Sequence, residues 1–500
     1  MNDGFNKIAM VGKQRKAPMR AHGLRKLIPA GIIKPSSFSL SATLLVLICM
    51  SVKAQPQAMT FDAAWERTKS GSDQLAAAQA AVDAKRLQAQ GLAGLGGPIV
   101  SLSAAAYAYN ANLDVNLDPI NQRLTQISQH LPIPLHNLPI PLPVPQLPSS
   151  YTFNRHDTGT AKSISAVWPI YAGGASEAVR GFVAAQGVEA RADADKTKHE
   201  LVTLLVLRYF GAQLAGKAAA LRQAALDNIR QHDAATAKML SAGVISRVER
   251  LQTQVAFEEA RRHALKAQDD AELAAIALSR TVKSEGIVKP ETPLFVITQP
   301  IEPLFHFLDQ AWLRHPSLAK VNAKKLQAEK LHQGQEALRK PQLFAFGQRE
   351  LKTGNASWVG GVGVHWTLFD AVDRNALAAA SDKQIEQAER MDAQARSDIS
   401  LLVEKNWRHV EQMRQQFLAT ASGAALAREM VRLRTAALRE GTGTALELID
   451  GEVNQAKVET ERAQIAHDYV VALARLLESC GLSEELNRYV ARADVKVSSP

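Results

Sequence analysis

The sequence predicts a mostly α-helical chain with a transmembrane β component, built as a two-fold internal repeat. Three observations predict it. Landmark residues recur at one offset through the two halves. Alanine-rich stretches without proline run far beyond an ordinary helix length. Two short segments in each half alternate apolar and small or polar residues, the period of a strand.

The repeat is read from spacing rather than identity. Trp168 precedes Gly243 by 75 positions, and Trp366 precedes Gly441 by 75. Ser246/Thr444, Glu249/Glu447, Val255/Val453 and Leu278/Leu476 all keep an offset of 198. Leu75 to Pro98 and Leu318 to Pro341 are both 23 positions. These landmarks place a first repeat at 55–283, a proline-bearing linker at 284–303, a second repeat at 304–482 and a C-terminal tail at 483–500.

Residues 1–54 read as a secretory signal peptide. They hold nine Lys or Arg and one acid, followed by the 11-residue apolar stretch Leu40–Met50, too short to span a bilayer as a helix. Val52, Lys53 and Ala54 then offer a cleavage site before Gln55, and Met10 and Met19 are alternative starts. Cys49 raises a lipoprotein signal, but Ile48 fills a place that wants a small residue. The leader carries +8 of the chain's +10, so the charge gives no ground for a nucleic-acid partner.

Within each repeat the order predicted is helix, strand, loop, strand, long helix, turn, helix. Trp358, Gly360, Val362, Val364, Trp366 and Leu368 share one face of a strand, and Ile164, Ala166, Trp168 and Ile170 share one face of its counterpart. The segments after Pro98 and Pro341 are their expected partners, giving four strands of about 10 residues. From Pro98 to Trp168 is 70 positions but from Pro341 to Trp366 only 25, so the first copy holds a 45-residue loop insertion at about 114–158. Seven of the chain's 21 prolines cluster there, in His130–Pro148, where they favour extended polyproline and forbid helix.

Ala172 to Leu240 is 69 residues without proline, about 100 Å as one helix. After Gly441, Leu446, Val453, Thr460, His467 and Ala474 alternate in heptads with Ile449, Ala456, Ala463, Val470 and Leu477, a coiled-coil seam. The stretch after Gly243 is poorer, with Arg262, Asp269 and Glu272 on its seam.

Four strands cannot close a barrel, and open edges are not tolerated in lipid. The barrel must then be shared: two chains give a filled eight-strand barrel, three give twelve strands that can leave a channel. A soluble periplasmic coiled coil, an adaptor or structural protein with a β-hairpin cap, is the alternative.

The duplicated layout, the "WPIYAGG" junction and the hairpin turn "EGTGTALELIDGEVNQAKVE" resemble the TolC-type outer-membrane efflux family across nearly all of 60–482. The resemblance implies a homotrimer with a shared 12-stranded barrel and a long α-helical coiled-coil periplasmic tunnel. It implies export of small molecules or proteins in a tripartite system. The partners would be a periplasmic adaptor (membrane fusion) protein, an inner-membrane RND or ABC transporter, and outer-membrane lipid. The long first loop departs from the family pattern.

No nucleophile or metal motif supports an enzyme, and no cofactor is expected. His130, His136 and His156 share the insertion without ligand spacing. Cys480 reads as a small buried apolar residue. Trp168 and Trp366 fit either an aromatic belt or packing at the strand–helix junction. Ser246…Glu249 and Thr444…Glu447 have capping-box spacing after the turn glycines Gly243 and Gly441. By the resemblance, Gly243, Ser246, Gly441 and Thr444 mark hairpin tips that meet an adaptor or pump. Glu447 and Asp450 would fall at the constricted periplasmic end, as a gate. Plain helix capping for Glu447 and a solvated face for Asp450 are the alternatives.

Overall fold

The computed structural model describes residues 57–129, 147–369 and 371–497. The signal peptide, Cys49, and most of the proline-rich run with His130 and His136 lie outside the described residues.

Two long helical hairpins dominate. In the first copy α4 (Ala175–Ser241, 67 residues) turns into α5 (Arg247–Thr281, 35 residues); in the second α8 (Arg374–Arg439, 66 residues) turns into α9 (Ala445–Ser479, 35 residues). Shorter helices α1 (Phe61–Gly71) and α2 (Asp73–Gly91) precede the first, and α6 (Leu304–Arg314) and α7 (Pro316–Ala337) the second. On α9 one heptad row, Ile449, Ala456, Ala463, Val470 and Leu477, is buried throughout. The other is only half-covered along most of its length, with Val453 at 41% exposed. In α5, Arg262, Asp269 and Glu272 point to solvent. That helix also leaves Val248, Leu251, Val255, Leu265 and Leu273 exposed.

Between the helices lies one four-stranded antiparallel sheet of order β2-β3-β6-β7: β2 (Ile99–Asn116), β3 (Ser150–Tyr171), β6 (Gln342–Glu350) and β7 (Trp358–His365). The two strands of the second copy are 9 and 8 residues, near the expected length, but those of the first are 18 and 22. This corrects the expected loop at about 114–158. Residues 114–116 and 150–158 lie in an unbroken ladder from Ile99↔Val167 to Asn116↔Ser150. Beyond the ladder, α3 (Asp118–Gln129) occupies part of the insertion.

The sheet's two faces differ. One carries Val100, Leu102, Ile164, Ala166, Trp168, Leu343, Trp358, Val362 and Val364, with glycines and alanines between and Arg349 beside Trp358 at its far end. The other carries hydroxyl rungs, Ser101–Ser165 and Ser103–Ser163, each 2.8 Å between oxygens, with Gln348 beside Ser163 at 3.3 Å; toward the helices it also carries Ile99, Val167, Phe344 and Phe346. At the helical end, "WPIYAGG" leads into α4. Gly173 has φ +68, and a Cβ there would come 2.3 Å from the Ala337 carbonyl oxygen, so only glycine lets β3 turn this close to α7. Trp366 Nε1 donates to the Arg339 carbonyl at 3.1 Å, tying β7's end to the same corner.

The core sits where the linker crosses the long helices. The linker is no loose tether. β4 (Val288–Pro290) pairs in parallel with β1 (Gln57–Met59), and β5 (Leu294–Val296) pairs antiparallel with β8 (Val495–Val497) in the tail. The tail also forms α10 (Leu486–Arg492). Val288, Leu294, Phe295 and Val296 are buried among Phe61, Tyr209, Phe210, Phe307 and Tyr469. The Tyr209 hydroxyl donates to the Met59 carbonyl (2.7 Å) and accepts from the Thr292 and Glu291 N–H groups (2.8 and 3.0 Å). Arg414, 7% exposed, reaches the Thr298 carbonyl at 2.6 Å while pairing with Glu411 at 2.8 Å. Cys480 is fully buried, and that burial pushes its thiol up to about 12.

Candidate gate and hairpin tips

Each long helix ends on a left-handed glycine. Gly243 has φ +71 and Gly441 φ +74, a conformation in which a side chain would clash with the backbone. The chain then reverses with Schellman-type bonds. Val244 N–H donates to the Met239 carbonyl at 2.9 Å, and Thr442 N–H to the Ala437 carbonyl at 3.0 Å.

The returning helices start with reciprocal caps. Ser246 Oγ accepts from the Glu249 N–H (3.2 Å), and the Glu249 carboxylate accepts from the Ser246 N–H (2.7 Å). Thr444 and Glu447 repeat the pattern at 3.2 and 3.1 Å. Hydrogen bonds from Ser246, its N–H foremost, hold the Glu249 carboxyl below its usual range. The Glu447 carboxylate is thus engaged in capping. Its own carbonyl accepts from the Arg434 guanidinium across the hairpin.

Asp450 is exposed, one turn further along α9. It borders a cavity of about 160 Å³ between α4, α5 and α9, with Arg222, Glu259 and His263. The geometry therefore separates the two predicted gate carboxylates: Glu447 is occupied by its cap, and Asp450 opens toward the first hairpin.

Two nearby pairs escaped the sequence reading. His232 on α4 and Glu452 on α9 approach to 3.5 Å, with side chains 20% and 11% exposed. Arg250 on α5 pairs with Asp233 on α4. The first links one hairpin to the other, and the second closes the first hairpin on itself. Glu452 Oε2 is buried without a hydrogen-bond partner. The visible hint is the closely spaced acidic set Glu447, Asp450 and Glu452 at the start of α9. Among the described residues no three His, Cys, Asp or Glu are grouped to hold a metal, and His156 stands alone on β3 opposite Asn110. No described helix is long and apolar enough to cross a membrane.

Residues 143–282 match the family model described as outer membrane efflux protein. Comparison with curated proteins finds no match. Among solved structures, the fold is similar to the outer-membrane channel OprN, at 17% identity and TM-score 0.66, over 84% of this chain and 89% of that one. It is similar to the Campylobacter jejuni CmeC outer membrane channel at 11% identity and TM-score 0.67, over 87% and 90%. It is also similar to the open state of the Neisseria gonorrhoeae MtrE outer membrane channel at 15% identity and TM-score 0.64, over 85% and 89%. The outer membrane efflux protein model is thus matched inside the first repeat, and the fold around it is that of these outer-membrane channels.

Proposed function

We propose that the chain forms a homotrimeric outer-membrane channel that passes small molecules or proteins from the periplasm to the exterior and performs no chemistry. The sheet carries this reading. Its four strands alternate in direction, so the free edge of β7 in one copy is antiparallel to the free edge of β2 in the next. Three copies would close a ring of 12 strands, wide enough for an aqueous channel. The apolar face would meet lipid and the serine rungs would line the lumen. Trp358 opens β7 and Trp366 follows its last residue, eight positions on, about 26 Å if extended and close to the height of a barrel's apolar band.

The exposed apolar residues of α5 and the half-covered row of α9 would then pack between copies as a periplasmic tunnel. Its tips, at Gly243, Ser246, Gly441 and Thr444, would meet a periplasmic adaptor and an inner-membrane RND or ABC pump, which supplies the energy. The soluble adaptor alternative leaves Leu102, Trp358, Val362 and Val364 facing water at 73%, 77%, 66% and 69% exposure. The test is the full-length protein extracted from outer membranes in detergent. A trimer by mass that conducts ions in a planar bilayer is expected; a soluble monomer without conductance would refute the reading.

A further inference from the structure

The β2–β3 hairpin outgrows the sheet. From Ala104↔Lys162 to Asn116↔Ser150 the two strands pair only with each other, because β6 joins β3 only between Ser163 and Tyr171. These paired rungs make an arm about 40 Å long on the side away from the helices.

Along this arm the faces exchange polarity. On the side of the serine rungs, Leu113 and Val115 face Phe153 and Tyr151 across the ladder, and Tyr107 and Tyr109 face Gly159 and Asp157; the six apolar or aromatic side chains are all between 41% and 60% exposed. The opposite side, continuous with the apolar belt below, turns polar: Asn110, Asn112, Asp114 and Asn116 beside His156 and Asn154. The exchange falls near Lys162, the level at which β6 and β7 end.

We propose that this arm is an interaction surface for further copies of the same chain. Three arms bring their apolar faces together over the channel axis and narrow its outer mouth as a collar. The inference rests on the trimer reading above. Lipid does not suit the face, since it lies on the lumen side of the sheet and above the apolar belt. Water does not suit it either, since six large apolar or aromatic side chains on one face of two strands, parted only by the Ala111↔Arg155 rung, exceed ordinary surface scatter.

Charge selects another copy as the occupant. Arg155 and Asp157 lie two residues apart on this same face, and neither has an ion-pair partner among the described residues. A cyclic head-to-tail arrangement sets Arg155 of one arm against Asp157 of the next, satisfying all of them in a closed ring. Tyr107 and Tyr109 are already stacked, ring centroids 6.2 Å apart, so the face is organised before association.

The test compares Leu113→Cys with Asn112→Cys in the full-length protein; the neighbours stand at one height on opposite faces. Cys480 is buried and does not interfere. With the trimer established by mass, a short bifunctional maleimide should join chains through Leu113→Cys. A membrane-impermeant maleimide should label Asn112→Cys and miss Leu113→Cys. Equal labelling at both positions would overturn the collar. So would protection of Leu113→Cys without cross-linking, which means something other than a second copy covers the face. In planar bilayers the milder Leu113→Ser, still trimeric, should raise conductance, and unchanged conductance counts against narrowing. A parent protein that is not trimeric removes the preceding reading instead, and the two failures are thereby told apart.

Discussion

At the scale of single residues, the carboxylates near the second tip divide their work. Glu447 completes a capping box, so Glu447→Ala should cost about 1 kcal/mol of local helix stability. Faster hydrogen exchange in the first turn of α9, with that of α4 unchanged, would check it. Asp450 caps nothing, so Asp450→Asn isolates its charge. Three copies around an axis would place three such carboxylates together, which attracts cations. Asp450→Asn should therefore weaken cation selectivity and block by divalent cations from the periplasmic side. Wild-type behaviour in both assays would remove Asp450 from the gate. A different residue gives a pH signature. Burial, then the nearby His199 and Lys196, lowers His315 from 6.5 to about 4. Its Nδ1 accepts from the Ser317 N–H at 3.1 Å as the cap of α7, a bond the protonated ring cannot make through that nitrogen. Glu478, Lys405 and Arg475 border the same cleft. The folded value lies below the ordinary one, so the unfolded chain takes up the proton first. Stability from the neutral ring is complete above pH 6.5 and is lost as pH falls toward 4. His315→Asn keeps a capping acceptor without the titration. Its melting temperature should fall less than the parent's across that window.

At the scale of elements, the first hairpin carries a detachable end. Leu117 N–H donates to the Ser149 carbonyl at 2.9 Å, so the strands are still paired where α3 begins. Replacing 118–148 with Asn-Gly, a two-residue hairpin turn, should leave the trimer intact in detergent. Loss of the trimer would make this segment part of the assembly. The sequence already showed how far each element could be foreseen. The long helices were legible because their register repeats at 198 and their ends carry glycine and a cap. The long strands were not. Alternation persists from Val100 to Val115, but its phase slips: Val100 and Leu102 hold one face, Tyr107, Tyr109, Leu113 and Val115 the other. A search for one apolar face loses the strand at the slip. The three-residue strands of the linker and tail leave no period at all, and their partners are distant in sequence. The tips were legible from Gly441 and Thr444, whereas the His232–Glu452 approach depends on how two helices are rotated against each other, which no local pattern encodes.

At the scale of the whole molecule, the proposed barrel makes opposite predictions for one kind of change on the apolar and serine faces. Arginine at Val362, on the apolar face, should cost about 2–4 kcal/mol at mid-bilayer and reduce the trimer recovered from outer membranes. Arginine at Ser165, on the serine face, should leave recovery unchanged and alter conductance. Equal recovery of both variants would refute the facing assigned to the sheet. The small strands of the core carry another consequence. β1 opens the first repeat and β4 follows it; β5 precedes the second and β8 follows it. Each repeat is therefore clasped by its own pair of strands, with beginning and end side by side like the two ends of a bracelet. Pro293, between the clasps, belongs to neither ladder. A backbone broken there severs no rung, so two half-length polypeptides, made separately and exported together, should find each other and rebuild the same channel as a ring of six pieces.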